Sequence, residues 1–372
     1  MSLITYSIPA FFILIALELI IDKYKKSNLY RLNDAISNIN SGIVQQVSGV
    51  FFKFITFGIY TYIYEHYRLI EHIPNVWYVW ILLFIGVDFF YYWFHRLSHE
   101  VSVLWGTHVV HHQSEEYNLS VALRQSATQL FGSSWFYLPL AFIGFNPYAF
   151  LTIASIQTLY QFWIHTKLIR KMPVWFEYIL NTPAHHRVHH GVNPKYIDKN
   201  HGGTLIIFDR MFGTFQEEEE EVHYGITSQL NSWNIATANF DYYGWIGKQL
   251  SQVKSVKDFV FVLIKKPGWR PDYLGGPIEP KEIDTQRKLY DAHTTHNVHI
   301  YIFVQFLLLL AFTSFFLFGL PKFNITQQLI AFFFIVFTVI NIGALFEKTN
   351  WIKVAEIIRL LCIPVVLYFL LR

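Results

Sequence analysis

Residues 95–112 read HRLSHEVSVLWGTHVVHH and carry two histidine motifs, HxxxH followed by HxxHH. The HxxHH motif recurs at residues 186–190, after Thr182 and Pro183, which suit the N-cap and first position of a helix. Side chains three and four residues apart lie on one helical face, so each motif is expected to direct its imidazoles at one common point. The motifs therefore predict three helical segments that meet at a metal site. Their histidines are His95, His99, His108, His111, His112, His186, His189 and His190.

Eight imidazoles are too many for one ion, since a zinc ion usually takes four ligands. They predict two metal ions, but imidazole binds iron, zinc, copper and nickel alike, so the ligands alone leave the metal open. His165, at the end of an apolar run, is a ninth candidate ligand. His185 lies off the ligand face and is expected behind the ligands or at the surface, while His201 is ambiguous. Three histidines are expected at the membrane interface: His293, His296 and His299.

The composition excludes most soluble classes of protein. Of the 372 residues, 53% are hydrophobic and 15% are charged, whereas about 25% are charged in a typical soluble domain. The single cysteine, Cys362, rules out a disulfide framework and a cysteine-based zinc site. A formal net charge of +3 without a basic arm gives no indication of a nucleic-acid partner. The sequence therefore predicts an integral membrane protein.

Eight apolar segments are candidates to cross a bilayer, which takes about 20 residues of helix. The fourth and fifth form a hairpin that is broken at Pro147, a residue suited to a first helical position. Residues 167–297 contain no such segment, and the acidic run at 217–221 is expected to be solvated. The prediction is an all-α, polytopic membrane bundle with a helical cap that carries a dinuclear metal site. The segments are residues 3–21, 43–64, 76–94, 130–145, 148–163, 298–318, 328–345 and 351–371.

Lysine and arginine near the segment ends predict the orientation. They cluster after the first and fifth segments, which places the cap and the active site on the cytoplasmic side and the C-terminus outside. Three domains are expected: N-terminal spans at residues 1–75, a catalytic domain at 76–297 and C-terminal spans at 298–372. The clustered basic residues are Lys23, Lys25, Lys26, Arg31, Lys167, Arg170 and Lys171.

Asp88 is an acid inside a predicted span, where a charge is costly unless it is paired. It falls near the helical face of His95 and His99, so it is expected on the side of the metal site, where it would help to orient an imidazole. A structural pairing with Arg96 or with a neighbouring helix is an equal alternative. The aromatic hairpin at 130–163 is either lipid-facing packing or the wall of a channel for an alkyl chain.

The order HxxxH, HxxHH, HxxHH on a membrane chain resembles the fatty acid hydroxylase and sterol desaturase superfamily. The resemblance covers roughly residues 76–280 and is greatest to members that cleave ether lipids. It rests on five stretches: 88–100 (DFFYYWFHRLSHE), 111–126 (HHQSEEYNLSVALRQS), 160–166 (YQFWIHT), 180–200 (LNTPAHHRVHHGVNPKYIDKN) and 205–215 (LIIFDRMFGTF).

The resemblance implies that the eight motif histidines hold two iron ions that activate O2, with tetrahydrobiopterin as reductant. It implies hydroxylation of an alkylglycerol beside its ether oxygen, after which the hemiacetal collapses to an aldehyde and glycerol. Glu100, directly after the first motif, matches an acid that is important in such enzymes. One departure concerns His201, which stands where the family pattern has a tyrosine.

Other functions stay open from the sequence. One alternative keeps the chemistry but changes the substrate to a sterol, a carotenoid or a fatty acyl lipid. Another class of function is a metal-binding membrane transporter or sensor, although a transporter should place its ligands near the bilayer midplane. A zinc hydrolase is disfavoured, because the motifs supply more ligands than such an enzyme uses. The electron donor, the lipid and the oligomeric state are left undetermined by the sequence.

Overall fold

The computed structural model describes residues 3–279, 287–292 and 294–372, so His293, expected at the interface, lies outside the described residues. The regular secondary structure of the described residues is helical, and their only β pairing is an isolated antiparallel bridge between Leu180 and Leu205. This confirms the predicted all-α fold class. Five helices in these ranges are long and apolar enough to cross a membrane.

The N-terminal region consists of three long helices, α1 (Leu3–Lys25), α2 (Leu32–Tyr67) and α3 (Trp77–Glu100). Helix α2 begins well before the predicted start at residue 43, because its polar first turns are buried inside the protein. Asn38 in these turns donates to Ser120 Oγ (3.1 Å) and accepts from Arg124 Nη1 (3.2 Å). The polar start of α2 therefore supports the loop that follows the second histidine motif. The rest of the helix is the predicted membrane span.

The second histidine motif and the hairpin form α4 (Ser102–His112), α5 (Gln129–Ser134), α6 (Leu138–Ile143) and α7 (Pro147–Trp163), with 3₁₀ turns at Val121–Leu123 and Trp135–Tyr137. Gly144 reverses the chain with φ +116°, where a Cβ would lie 2.4 Å from the Ile70 carbonyl oxygen. Asn146 then caps α7 by accepting from the Tyr148 and Ala149 N–H groups, and Pro147 is its first residue, as predicted.

The hairpin arms correct the predicted number of spans. One arm is a short run of helix, with α segments of 6 residues on either side of a 3-residue 3₁₀ turn, and α7 has 17 residues. Neither arm is among the five membrane-length helices, which are α2, α3 and the three C-terminal helices, and α1, which contains the first predicted segment, is not among them either. The predicted segments 130–145 and 148–163 are therefore a short helical hairpin rather than two full spans.

The described residues of the cap, between the hairpin and the C-terminal spans, form five shorter helices and one 3₁₀ turn at Asp272–Leu274. Thr182 and Pro183 begin the helix of the third histidine motif as predicted, but the Thr182 hydroxyl binds Glu177 Oε1 (3.3 Å) and does not cap the helix. The helices are α8 (Val174–Ile179), α9 (Pro183–His189), α10 (Ile207–Phe212), α11 (Ile235–Leu250) and α12 (Val256–Ile264).

Three C-terminal helices complete the fold: α13 (His296–Gly319), α14 (Ile325–Glu347) and α15 (Ile352–Leu371), with a 3₁₀ turn at Leu320–Lys322. One apolar core joins them to α2 through residues such as Val47, Phe316 and Ile335. A second core around Tyr60 and Leu83 joins α2 to α3 and the hairpin. Helix α2 therefore belongs to both cores and holds the two halves of the bundle together.

Candidate metal centre

Three helix ends bring nine buried histidines into two adjacent groups. Helices α3 and α4 and the region of α9 supply eight of them, and His165, just beyond α7, is the ninth. Within each group the candidate ligand nitrogens lie within 4.8 Å of one another. The five-histidine group is His95, His99, His108, His112 and His189, and the four-histidine group is His111, His165, His186 and His190.

The second histidine motif, at residues 108–112, is divided between the groups, which corrects the expectation that one motif points at one position. His108 and His112 belong to the five-histidine group, whereas His111 belongs to the four-histidine group. Helical geometry explains the division, since residues four apart diverge by about 40° but adjacent residues by about 100°. The third motif makes the reverse assignment, with His186 and His190 in the four-histidine group and His189 in the other.

The two groups are in direct contact. The Nε2 atoms of His95 and His108 are 2.9 Å apart in the five-histidine group, and those of His190 and His111 are 3.1 Å apart in the other. His112 and His190, one from each group, stack with ring centroids 4.4 Å apart. The arrangement can hold two ions side by side.

Backbone carbonyls fix the orientation of several of these imidazoles. An Nδ1 hydrogen bond to a carbonyl oxygen selects the tautomer in which Nε2 keeps its lone pair, the form that binds a metal. Four of the nine histidines have this arrangement, at distances of 2.7–2.9 Å. The pairs are His95 with His201, His111 with Arg124, His165 with Gln161 and His189 with Lys199.

The remaining polar atoms also fit a metal. Buried polar groups are almost always hydrogen-bonded, yet several shielded ring nitrogens have no such partner in the described protein. Burial lowers the pKa of His111 to about 4, and burial with the neighbouring imidazoles lowers the pKa of His190 well below its usual range. The imidazoles are therefore neutral near pH 7 and free to ligate. The unpartnered nitrogens in the groups are His99 Nε2, His108 Nδ1, His186 Nδ1 and His189 Nε2.

Asp88 lies behind the site and acts on the backbone of a loop. Its Oδ1 accepts from the Thr204 N–H (2.8 Å) and the Gln157 amide (2.5 Å), and its Oδ2 accepts from the Leu205 N–H (2.7 Å). The same loop carries the His201 carbonyl that accepts from His95 Nδ1. Asp88 therefore reaches the imidazoles through this loop rather than by direct contact.

Asp209 fastens the same loop from its other side. It is fully buried, and its carboxylate accepts 2.7 Å hydrogen bonds from the His201 and Gly202 N–H groups and from the Thr214 hydroxyl. Burial raises its pKa to about 6, although these three donors lower it. Asp209 and Asp88 together fix the loop on which the His201 carbonyl lies.

Glu100 occupies the end of α3, directly after His99. Its Oε1 forms an ion pair with Arg96 Nε (3.1 Å), and the Glu100 side chain is 27% exposed. Asp198 places Oδ1 3.9 Å from His99 Nδ1 and pairs with Lys266 (3.1 Å). Arg96 thus pairs with Glu100 and not with Asp88, whereas the alternative pairing of Asp88 with a neighbouring helix is formed, through Gln157 of α7.

The remaining histidines lie outside the two groups. His185 is buried against Phe215 with ring centroids 5.5 Å apart, so the alternative that placed it at the surface is wrong. His201 is fully buried beside the five-histidine group, with ring centroids 5.7 Å from His95 and 5.1 Å from His99. His299 bonds to the Thr294 hydroxyl at the start of α13, far along the chain from the motifs.

A buried polar cluster supports the second motif, and sequence reasoning missed it. Arg124 donates to the Val110 carbonyl (2.7 Å) and to Gln113 Oε1 (2.9 Å), while its own carbonyl accepts from His111. Asp34, in the buried start of α2, accepts from the Ser114 hydroxyl (2.8 Å). Such main-chain contacts leave no spacing pattern, so only the polar residues inside an apolar region could have indicated the cluster.

An apolar cavity of about 920 Å³ extends from the histidines into the helical bundle. His108, His111 and His165 line one end, so both groups face the cavity, and its walls come mainly from α1, α2 and α7. Phe54, a wall residue, is 84% exposed, so the cavity opens on the side of the bundle that would face lipid. The volume lies within the usual range for ligand pockets.

Comparison with known proteins agrees with these observations. The fatty acid hydroxylase family profile matches residues 80–214. Alkylglycerol monooxygenase of Xenopus tropicalis is 40% identical over 94% of this chain and 79% of its own length, and the Homo sapiens protein of that name is 38% identical over 95% and 80%. An ornithine lipid hydroxylase of Rhizobium tropici is 26% identical over 52% of this chain and 56% of its own. No solved structure matches the chain.

The matched regions contain all nine histidines of the two groups. The identity extends over most of the chain and therefore includes the spans outside the profile match. Together with the five membrane-length helices, it makes the chain a multi-pass membrane oxidoreductase related to lipid hydroxylases. The chain is a member of the fatty acid hydroxylase family and belongs, within it, with the alkylglycerol monooxygenases.

Proposed function

We propose that the chain is a di-iron monooxygenase that cleaves glycerol ether lipids. One oxygen atom of O2 enters the C–H bond beside the ether oxygen, and the other leaves as water after uptake of two electrons and two protons. Tetrahydrobiopterin supplies the electrons, and the hemiacetal product separates into a fatty aldehyde and glycerol. The observation that carries the proposal is the pair of all-histidine groups at the end of an apolar cavity.

Iron is the metal we propose, in both groups. A lipid C–H bond resists acid–base and nucleophilic attack, so an ion that changes oxidation state must supply the oxidising chemistry when bound. The chain's own residues hold and orient that metal through nine neutral imidazoles, four of them fixed by backbone carbonyls. The apolar walls of the cavity would exclude bulk water and align the alkyl chain with the histidines.

We also propose roles for the two acids named from the sequence. Asp88 is a positioning residue, since it acts on His95 through the loop that carries the His201 carbonyl. Glu100 contributes to catalysis from the end of α3, where its pairing with Arg96 fixes the turn that carries His99. Stability measurements can separate the two proposals. Replacing the buried carboxylate of Asp88 should destabilise the protein, whereas replacing the partly exposed carboxylate of Glu100 should not.

The alternatives are weaker for specific reasons. The relative that acts on ornithine lipid supports an acyl-lipid hydroxylase, but its similarity covers only 52% of this chain. A transporter would place ligands near the middle of its spans, whereas these histidines lie at helix ends or beyond them. Nine imidazoles are more ligands than a zinc hydrolase uses.

The test supplies the iron-loaded protein with an alkylglycerol, a sterol and a fatty acyl lipid in parallel, with O2 and tetrahydrobiopterin. We expect about two iron ions per chain and release of fatty aldehyde from the ether alone. Turnover of the sterol or the acyl lipid without the ether would overturn the substrate proposal. A metal content near one ion per chain would overturn the dinuclear proposal.

We further propose the cytoplasmic side for the histidine groups and retain the domains at 1–75, 76–297 and 298–372. The hairpin arms enter the membrane region as a pair, so the orientation is the same whether or not they cross. A reporter fused at Glu219 is therefore expected to read cytoplasmic, because basic residues flank the cap, and one at Arg372 is expected to read outside. The opposite readings would contradict the orientation.

A further inference from the structure

Exposed apolar side chains cover the outer face of α8 and α10, two short helices of the cap that lie outside the predicted membrane segments. The exposed fraction is 85% for Val174, 68% for Trp175 and 69% for Met211. Exposed apolar patches of this kind mark surfaces that contact a membrane or another molecule. We call this surface the cap patch, and its residues are Val174, Trp175, Tyr178, Ile179, Met211 and Phe212.

The two helices form one surface. The Ile206 N–H, directly before α10, donates to the carbonyl of Ile179 at the end of α8 (3.0 Å). Arg210 of α10 donates from Nε to the Tyr178 carbonyl (3.2 Å), and its guanidinium lies 4.8 Å from the centroid of the Tyr178 ring. The cap patch is therefore a single feature that α8 and α10 share.

Contacts with two helices of the bundle give the depth of the cap patch. Phe212 of α10 packs on Trp93 of α3 with ring centroids 5.1 Å apart. Trp93 lies in the predicted segment 76–94, near the end of the part of α3 that crosses the membrane. On α8, Phe176 contacts Trp163, the last residue of α7, with centroids 6.3 Å apart. The cap patch thus continues the outer surface of the bundle at the level where α3 and α7 leave the bilayer.

The charges next to the cap patch are basic. Arg170 and Lys171 are exposed directly before α8. Glu177, the acid on α8, turns toward the protein, since its Oε1 accepts from the Met172 N–H (2.9 Å) and the Thr182 hydroxyl (3.3 Å). Exposed tryptophan and tyrosine beside lysine and arginine are typical of the boundary between lipid head groups and acyl chains. Basic residues at that depth are attracted to anionic lipids.

We propose that the cap patch is a membrane-contact surface, with α8 and α10 lying in the head-group region of a bilayer that contains anionic phospholipid. The apolar side chains enter the boundary of the acyl chains, and Arg170 and Lys171 contact the anionic head groups. The contact also reaches the metal centre, because α10 carries Asp209, which fixes the loop of the His201 carbonyl. The proposal is independent of the reaction, since it concerns how the cap is held against the bilayer.

The first test places a nitroxide label on the full chain in nanodiscs of phosphatidylcholine and phosphatidylserine. Trp175→Cys and Met211→Cys carry the label, each in a Cys362→Ala background. Dissolved O2 is concentrated among the acyl chains, whereas a nickel chelate stays in water. Both labels should collide mainly with O2, like a label at Leu308→Cys on the exposed side of α13. A label at Glu219→Cys, in the exposed acidic run, should collide mainly with the chelate.

Two results would overturn the membrane contact. The first is that the two patch labels collide mainly with the chelate, like the label in the acidic run. The second is that they are shielded from both probes, because a second copy of the chain or another protein would then cover the patch. An unfolding temperature equal to that of the unmodified protein shows that each labelled chain is folded, and the readout needs no turnover.

The second test concerns the charge. The ratio of O2 to chelate collisions at Trp175→Cys should rise when phosphatidylserine is added to phosphatidylcholine, because the basic residues then draw α8 deeper. Arg170→Gln combined with Lys171→Gln should remove this rise. Lys248→Gln, which neutralises an exposed cation on α11, is the matched control and should keep it. A ratio that does not depend on phosphatidylserine would overturn the assignment of an anionic lipid.

Discussion

Replacing His189 by alanine should empty the five-histidine group and leave the metal in the four-histidine group, and His186→Ala should do the reverse. The two residues lie three apart on α9, yet they belong to different groups. Each variant should therefore hold about one ion per chain where the unmodified protein holds about two. Activity should fall by more than about a hundredfold in both, since even residues that only orient metal ligands are worth ten- to a hundredfold.

His185→Ala is the matched control for this pair, because it removes an imidazole from the same helix. His185 packs on Phe215 and belongs to neither group, so both ions should remain. Elemental analysis counts the ions, and Mössbauer spectra of ⁵⁷Fe-loaded protein should lose a different component in each ligand variant. Loss of both ions from both variants would contradict the separate groups, as would loss of an ion from His185→Ala.

Asp88→Ala should lower the free energy of unfolding by about 3 kcal/mol or more. The substitution removes the acceptor for two backbone N–H groups and the Gln157 amide, and each buried donor left unpaired costs about 1–3 kcal/mol. The loop at Thr204 and Leu205 should then loosen, and with it the His201 carbonyl that orients His95. Thermal unfolding in detergent measures the stability, and metal analysis should show loss from the five-histidine group.

Glu100→Gln provides the control for this prediction, because it neutralises an acid on the same helix. The ion pair with Arg96 is partly exposed and worth about 0–1 kcal/mol, so the unfolding temperature should hardly change. Asp88→Asn keeps one acceptor oxygen and should restore part of the stability and part of the metal. An Asp88→Ala protein as stable and as metal-rich as the unmodified chain would refute the positioning role.

The spacing of the histidines predicts the helices that carry them, because residues three and four apart must share a helical face. The same spacing also implies that each HxxHH motif is shared between two groups, since adjacent histidines on a helix point about 100° apart. The division is missed when each motif is taken as a single ligand face. His165 is a different case, because a single histidine after an apolar run has no spacing pattern. Only the folded chain brings it to the four-histidine group.

The rest of the site depends on contacts that have no sequence signature. The imidazoles are oriented by the carbonyls of His201, Arg124, Gln161 and Lys199, and any residue type supplies a carbonyl. The early start of α2 was missed because polar residues there resemble a loop, although they are buried against Ser114, Ser120 and Arg124. Hydropathy also overestimated the hairpin, since it counts apolar residues and does not show how short the helix of the first arm is.

The short hairpin makes the protein sensitive to the thickness of the bilayer. The 17 residues of α7 rise about 25 Å, against a hydrocarbon thickness of about 30 Å. If α7 lies in the bilayer, the lipids beside it must thin to match its length, which carries an elastic cost. Since α7 forms one wall of the cavity, this mismatch sets the depth at which a lipid meets the opening. Membranes of different thickness would thus offer the histidines different portions of the same lipid.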